Sequence, residues 1–416
     1  MGLFKKKKKE LYELELSEKH VGLRVVLVIV LFGIGLAGIG FGLFSLLGEE
    51  DGWQTIELTE KSVISEDDFA LNYNLGAGEL SATKEKRLVE NAYTELLNET
   101  YKLFDIYNSY DGIVNLYHLN RHHNEELKVS GVLYDAIEKV KAAGSRDIYL
   151  GSLQSVYRNV FLCTDDINAA DSDPARNQED AEFLKTLSMY ASDPEMIDLE
   201  LLGDDKVKLF VSSEYASFAA ENGIEDFIDF SWLANAFIID RVADGLAAMG
   251  YTNGFITSYD GYVRYLNPDV NSYAAEITDR VGNAVYPAAT IEYTGTRSLV
   301  QLRSYPMNSR AASDFYTYSD GEFASRYIDA KDGRYKSSIN DIMAYSDTEK
   351  CADIALALSP IFVADELDID LVDGAKARGI NFVWCENRAL IYNDANLKIQ
   401  YLYDLDGITY TSKCAE

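Results

Sequence analysis

The stretch Asp229-Phe-Ser-Trp-Leu-Ala-Asn-Ala-Phe-Ile-Ile-Asp240 decides the fold of this chain. Its pattern predicts a buried strand that ends at Asp229 and runs directly into a helix, with Ser231 as the helix N-cap. We expect the helix to stop at Gly250, because glycine commonly follows the last helical residue. Apolar residues at helical spacing predict the buried face of this helix: Leu233, Phe237, Val242 and Leu246.

The segments on either side of this stretch show both helical and strand patterns. Residues 164 to 182 are rich in Asp, Asn and Ala without periodicity, which predicts a surface excursion. The mixture favours one α+β domain, and an α/β arrangement is also compatible. The predicted helices cover residues 83 to 104, 130 to 144 and 213 to 222, and the predicted strands cover residues 207 to 212, 380 to 386, 389 to 393 and 397 to 402.

The N-terminal part of the chain has the pattern of a membrane anchor. A basic segment, residues 1 to 24, precedes an apolar run over residues 25 to 47 that is long enough to cross the roughly 30 Å hydrocarbon core as a helix. The positive-inside rule assigns the basic segment to the cytoplasm. The sequence therefore predicts a single-pass protein of the cell membrane, with an acidic linker at residues 48 to 65 and an extracytoplasmic domain at residues 66 to 416. A buried helical hairpin of a soluble protein is the alternative.

The charge of the chain disfavours one class of partner. The formal net charge is −30, and the sequence has no basic cluster beyond its N-terminus. A surface this acidic repels a phosphate backbone, so we do not expect nucleic-acid binding.

Cysteines and histidines leave alternatives open. The four cysteines are widely spaced and form no CxxC unit, so disulfides in any of three pairings and free buried thiols are both compatible with the sequence. His118 and His122 have the i, i+4 spacing of zinc-binding pairs, but no glutamate follows His118 and no third ligand is evident. We therefore prefer a solvated or capping role for these histidines.

The opening stretch resembles the signature of the ApbE-type flavin transferases (FAD:protein FMN transferases), which runs Asp-Leu-Gly-Gly-Ile-Ala-Lys-Gly-Tyr-Ala-Val-Asp. The two strings align without a gap, and Asp229, Ala234 and Asp240 coincide. Asn235 stands where the signature has lysine. The resemblance extends over roughly residues 69 to 393 and implies a T-fold-like flavin transferase domain of the α+β class behind the membrane helix.

Further segments resemble flavin-contacting segments of the family in the same order. Leu75-Gly76 stands at the family's Met-Gly pair, and residues 258 to 262 stand at Asn-Ala-Gly-Gly-Asp. Residues 311 to 315 resemble Ala-Thr-Ser-Gly-Asp-Tyr with the glycine deleted. Residues 325 to 333 resemble Ser-His-Ile-Ile-Asp-Pro-Arg-Thr-Gly, with arginine at the histidine position. The resemblance thus implies that FAD contacts Asp229, Asn235, Leu75, Ser313 and Arg326.

The resemblance also implies a Mg²⁺ site. In the family, the metal is held by the backbone carbonyl of the signature alanine and by an Asp and a Thr four residues apart on a later helix. Here a capping box at residues 346 to 349 predicts the start of that helix. The implied ligands are the Ala234 carbonyl and Asp353, whereas Ala357 replaces the ligand threonine. Mg²⁺ prefers oxygen ligands and would neutralise pyrophosphate charge.

Two functional classes follow from the resemblance. The first is a membrane-anchored enzyme that uses Mg²⁺ to transfer FMN from FAD to a serine or threonine of an extracytoplasmic redox protein. The alternative is a catalytically degenerate relative that binds flavin or a protein partner without turnover, because the signature lysine, the ligand threonine and two glycines are missing. A cell-surface adhesion or scaffold domain is a third class.

Overall fold

The computed structural model describes residues 51 to 78, 80 to 267 and 272 to 415. The predicted cytoplasmic segment, residues 1 to 24, and the predicted transmembrane helix, residues 25 to 47, lie outside the described residues. Within the described residues, no helix is both long and apolar enough to cross a membrane. Membrane anchoring therefore stays a prediction.

The largest sheet of the fold has nine strands. The strands of the described chain are β1 (Gly52–Ile56), β2 (Phe69–Leu75), β3 (Glu126–Lys128), β4 (Ile197–Gly203), β5 (Lys206–Val211), β6 (Gly254–Ser258), β7 (Tyr262–Tyr265), β8 (Ser272–Val281), β9 (Ala284–Thr294), β10 (Ser298–Arg303), β11 (Phe315–Thr317), β12 (Phe323–Ser325), β13 (Asp341–Ser346), β14 (Asn381–Glu386), β15 (Ala389–Tyr392), β16 (Lys398–Leu402), β17 (Asp404–Leu405), β18 (Ile408–Thr409) and β19 (Thr411–Cys414). The central sheet has the order β1-β2-β6-β7-β10-β13-β14-β15-β19. Its neighbouring strands are antiparallel, except that β15 and β19 are parallel.

Helices account for most of the chain between β2 and β6. The α-helices of the described chain are α1 (Ala82–Phe104), α2 (Leu116–Arg121), α3 (Gly131–Ala142), α4 (Gly151–Phe161), α5 (Asp166–Ser172), α6 (Ala181–Ser192), α7 (Ser213–Glu221), α8 (Ala234–Ala248), α9 (Cys351–Phe362) and α10 (Ile369–Lys376). Short 3₁₀ turns occur at Asp147–Tyr149, Gln178–Asp180, Ser231–Leu233 and Ala311–Asp314.

The central sheet is covered on both faces. Helices α8 and α9 pack against β6, β7, β10 and β13, and β8 of the smaller β16-β9-β8 sheet packs against β13 and β14. Successive residues of β13 alternate between two separate cores, with Ile342 and Ala344 in one and Met343 and Tyr345 in the other. All six residues of β13 are buried, as expected for a strand covered on both faces. The layered structure confirms the predicted α+β class.

Several sequence-based predictions hold, and others need correction. Helices α1 and α3 lie where the apolar period predicts them, and the Ser130 hydroxyl caps α3 by accepting the N–H of Leu133 at 3.2 Å. Residues 164 to 182 lie largely at the surface, as predicted, but they are not without regular structure. They contain α5, which is too short to show a period and is started by Asp165, whose carboxylate accepts two backbone N–H groups. Part of the predicted linker, residues 52 to 56, forms β1 and pairs with β2.

The strand predicted to end at Asp229 is not formed. The N–H groups of Phe227 and Ile228 donate instead to the Asn120 side-chain oxygen, each at 2.9 Å, and the Asn120 amide donates back to the Ile228 carbonyl. One buried amide thus satisfies the backbone groups that a neighbouring strand would otherwise pair. Ser231 is not an N-cap, because its φ of 46° is left-handed and α8 begins only at Ala234. The signature that this stretch resembles has glycine at this position, where a positive φ is unstrained.

The cysteine and histidine alternatives resolve to structural roles. All four cysteines lie in the described chain and are free thiols. His118 forms a capping box with Asn115 at the start of α2, and His122 lies 3.6 Å from the Glu125 carboxylate. The described residues contain no group of three His, Cys, Asp or Glu side chains that could hold a metal ion. The capping interpretation of the histidines is confirmed.

Candidate functional site

Four separate segments that resemble the flavin transferases meet in one polar cluster. We call the residues Asn235, Tyr259, Asp260, Asp314 and Arg326 the Arg326 cluster. The Arg326 guanidinium lies 2.6 Å from the Asp260 carboxylate and 3.0 Å from the Asp314 carboxylate. The Asn235 amide donates to Asp260 at 2.9 Å, and the Tyr259 hydroxyl donates to Asp314 at 2.8 Å while accepting from Arg326. The fold therefore brings together the segments that the sequence could only place in order.

A tight turn between β6 and β7 positions Asp260. Gly261 has a φ of 102°, and a Cβ at this position would lie 2.1 Å from the Gln301 carbonyl oxygen. Only glycine fits, because a side chain would be both strained and in collision with backbone. The Ser258 hydroxyl also donates to Asp260 at 2.6 Å. Asp260 is thus held in position by its own turn as well as by Arg326.

Asp229 lies beneath the start of α8. Its carboxylate accepts the N–H of Ser231 at 2.7 Å, and an Arg158 nitrogen lies 4.0 Å away. Burial raises the pKa of Asp229, and the opposing influence of Arg158 and Arg326 is smaller. The carboxylate therefore holds the left-handed turn at Ser231 from inside the protein.

The space beside the Arg326 cluster is too small for a flavin ring. The cavity has a volume of about 20 Å³, whereas small-molecule sites generally hold about 300 to 1,000 Å³. The side chains of Tyr259, Asp260, Asp314 and Arg326 occupy its polar side. In this conformation the cluster is closed.

Two of the predicted flavin-contacting residues lie away from this cluster or at its edge. Leu75 is buried at the far end of β2, since Phe69 at the near end pairs with Ser258. Leu75 is six residue steps along the strand from Phe69, which is about 20 Å. The Ser313 hydroxyl is exposed and exchanges hydrogen bonds with Arg310 rather than with the cluster.

The predicted metal ligand Asp353 has a lysine as its partner. The Lys139 ammonium of α3 lies 2.6 Å from the Asp353 carboxylate of α9. Both side chains line a cavity of about 500 Å³ between α3, α9 and α10, and Ala357 also faces it. Ala234 is not among the described residues that line this cavity.

The residues around Asp353 do not fit a Mg²⁺ ion. Mg²⁺ requires nearly octahedral oxygen ligands at about 2.0 to 2.1 Å. Here the carboxylate is already paired with an ammonium, and the methyl group of Ala357 offers no oxygen. The magnesium that the resemblance implies thus lacks a preformed site.

Asp240, the last residue of the opening stretch, joins two helices. Its carboxylate accepts the N–H groups of Cys351 at 3.0 Å and Ala352 at 2.9 Å and lies 3.3 Å from the Arg264 guanidinium. It therefore caps α9 from outside that helix. The predicted capping box at residues 346 to 349 does not start α9. Its Ser346 hydroxyl accepts the N–H groups of Thr348 and Glu349 in the preceding turn.

Comparison with known proteins supports the fold. No known family profile matches the sequence, and no curated protein matches it significantly. Among solved structures, the chain is similar to the ApbE protein of Thermotoga maritima, with a TM-score of 0.54 and 14% identity over 79% of this chain and 94% of that one. The flavin transferase ApbE of Vibrio cholerae gives a TM-score of 0.52 and 14% identity over 86% and 98%. The flavinyl transferase ApbE of Pseudomonas stutzeri gives 0.50 and 12% over 81% and 92%.

These similarities define the class of fold. The described domain has the α+β fold of the ApbE flavin transferases, as the sequence resemblance implies. At identities of 12 to 14%, fold is what the similarity establishes. The function must be argued from the site itself.

Proposed function

We propose that this chain is a binding protein with a flavin transferase fold whose transfer site has been closed. Its ligand is a flavin or a protein partner, held without turnover. The observation that carries this proposal is the Arg326 cluster, in which charged side chains occupy the place where four family-like segments meet. A ligand could enter there only by separating these pairs.

Opening the cluster would be energetically unfavourable. The side chains of Arg326 and Asp260 are only 10% and 3% exposed. Breaking a buried ion pair leaves an uncompensated charge and costs about 3 to 5 kcal/mol. A ligand would have to repay this cost from its own binding energy.

The chemistry of transfer also lacks its expected charges. Breaking the pyrophosphate of FAD requires neutralisation of the charge that develops as AMP leaves. Asn235 carries no charge, and its amide donates to Asp260. The Asp353 carboxylate, the implied metal ligand, is paired with the Lys139 ammonium. The uncharged Asn235 and the paired Asp353 therefore favour binding over turnover.

An active enzyme is the second candidate, and the convergence of the family-like segments favours it. In this case the chain would be an extracytoplasmic FAD:protein FMN transferase, anchored in the membrane through residues 25 to 47. It would depend on Mg²⁺ and modify a serine or threonine of a redox protein. Asp229, Arg326 and Asp353 would then act on the flavin and the metal, after a rearrangement that opens the Arg326 cluster.

FAD titration of the fragment from residue 50 to 416 separates the two candidates, since residues 50 to 416 form one compact unit. Flavin fluorescence reports binding, and AMP release in the presence of an acceptor peptide reports transfer. We expect no AMP with or without Mg²⁺, while an active transferase of the same fold serves as the positive control. Release of AMP that requires Mg²⁺ would establish the enzyme and reject our proposal. If flavin does not bind, both flavin hypotheses are rejected and the fold alone stands.

A further inference from the structure

One ion pair lies at the position where the family resemblance implies a metal. Lys139 reaches from α3 to Asp353 at the start of α9, across 214 residues of sequence, with Nζ and Oδ1 2.6 Å apart. The Lys139 and Asp353 side chains are 37% and 22% exposed, so the pair borders solvent. It forms part of the wall of the cavity of about 500 Å³ between α3, α9 and α10.

We infer that the Lys139 ammonium is the resident cation at Asp353 and that this site takes no divalent metal. An ammonium is a compact point charge that pairs with a single carboxylate and needs no second or third ligand. It therefore suits a position that keeps one carboxylate but has lost the neighbouring side-chain oxygen at Ala357. The tethered charge replaces an exchangeable ion whose binding would depend on its free concentration.

The inference predicts how the adjoining cavity behaves. A ligand entering it meets a fixed ammonium that is already neutralised by Asp353, with Arg378 and Asp370 further along the same wall. Its affinity should therefore not depend on Mg²⁺. The inference does not rest on the proposed function, because metal binding is measured on the free protein without flavin or acceptor.

Magnesium binding by the full chain tests the inference. Wild type should show no heat of binding with MgCl₂ and no change in Tm up to about 10 mM. The double variant Lys139→Ala/Ala357→Thr removes the ammonium and places a hydroxyl one helical turn from Asp353. We expect it to gain Mg²⁺ binding, seen as a rise in Tm of about 2 °C or more at saturating metal.

A matched control uses a second lysine of the same helix. Lys141 pairs with Asp198 at 2.7 Å and has a similar exposure of 29%. Lys141→Ala/Ala357→Thr should therefore remain insensitive to Mg²⁺. Circular dichroism of each variant without metal shows that it is folded.

Three results would overturn the inference. Saturable Mg²⁺ binding to wild type at millimolar concentration would show that the ammonium does not exclude the metal. A Lys139→Ala/Ala357→Thr variant that folds but gains no Mg²⁺ response would show that the Lys139 ammonium does not occupy the position of a metal ion. An equal gain in the Lys141 control would assign the effect to the Ala357→Thr substitution alone.

Discussion

Two ion pairs of this protein have the same length and very different surroundings. Arg326 and Asp260 are 2.6 Å apart with side chains 10% and 3% exposed, whereas Lys139 and Asp353 are 2.6 Å apart with side chains 37% and 22% exposed. Judged by distance alone, the two pairs would contribute equally to stability. Solvent screens the exposed pair, so removal of one partner should be costly only in the buried pair, where it leaves an uncompensated charge.

The two ion pairs also differ in the size of the cavity beside them. The buried pair accompanies a cavity of about 20 Å³, and the exposed pair borders one of about 500 Å³. In the first region, side chains from four segments pair with one another, although the buried Nε of Arg326 has no hydrogen-bond partner, and the cavity beside them is small. In the second, one lysine satisfies one carboxylate and the neighbouring surface stays open. In our two proposals, charge pairing therefore closes one family-like site and supplies the cation of the other.

The largest expected effect comes from breaking the buried pair. Arg326→Met should lower the free energy of unfolding by about 3 to 5 kcal/mol, because it leaves Asp260 buried without its cation. Urea unfolding of the fragment from residue 50 to 416 measures this change. Arg326→Lys is the control, since it keeps the charge and should lose less. A loss below about 1 kcal/mol in Arg326→Met would mean that burial does not distinguish the two pairs.

A second buried pair extends the comparison to pH. Burial raises the pKa of Asp240 to about 6 from an ordinary 3.8, although Arg264 and two backbone N–H groups oppose the shift. The folded state therefore holds the proton more tightly than the unfolded state. This contribution to stability is complete below pH 3.8 and is lost as the pH rises through about 6.

Asp240→Asn isolates that contribution, because asparagine does not titrate. Between pH 4 and pH 6, the free energy of unfolding of wild type should fall relative to the variant by up to about 3 kcal/mol. Urea unfolding at several pH values measures the difference. A constant difference across this range would show that the Asp240 carboxyl titrates as an ordinary surface acid.

Local signals predicted some of the helices, including α1 and α3, but not α4, α5, α6 or α10. The apolar period located α1, and the hydroxyl of Ser130 marked the start of α3, because both depend on residues only a few positions apart. The segment at 227 to 230 could not be predicted in this way. Its backbone is satisfied by Asn120, more than a hundred residues earlier, and nothing local indicates that partner.

The candidate site shows the same limit. Its segments were recognisable in the sequence, and Arg326, Asn235 and Asp229 lie in or next to one cluster. The partners that close the site were not recognised as site residues, since Asp260 and Asp314 act through contacts made only in the folded chain. Lys139 gave no signal at all, as a lysine on an amphipathic helix normally faces solvent. Leu75 lies away from the Arg326 cluster, and its predicted contact with flavin stays a prediction, since a two-residue match does not fix which end of a strand it occupies.

The Tyr259 hydroxyl offers a gentler test of the buried region. Tyr259→Phe removes the hydrogen bonds that link Asp314 and Arg326 but keeps the ring and every charge. We expect a loss of about 1 to 2 kcal/mol in the free energy of unfolding, since both bonds involve charged partners. Tyr286→Phe, on the other side of the central sheet, is the matched control and should change stability by less than about 0.5 kcal/mol. Equal effects at the two tyrosines would argue against a connected cluster.

The smallest effect should come from the exposed pair. Lys139→Met should lower the free energy of unfolding by no more than about 1 kcal/mol, because solvent screens the pair and the long side chain loses entropy when it is held. The loss should shrink further in about 1 M NaCl, where the Debye length is only about 3 Å. Lys141→Met, at the pair with Asp198, should behave alike. A loss at Lys139 as large as that of Arg326→Met, and insensitive to salt, would mean that the Asp353 carboxylate depends on this lysine as Asp260 depends on Arg326.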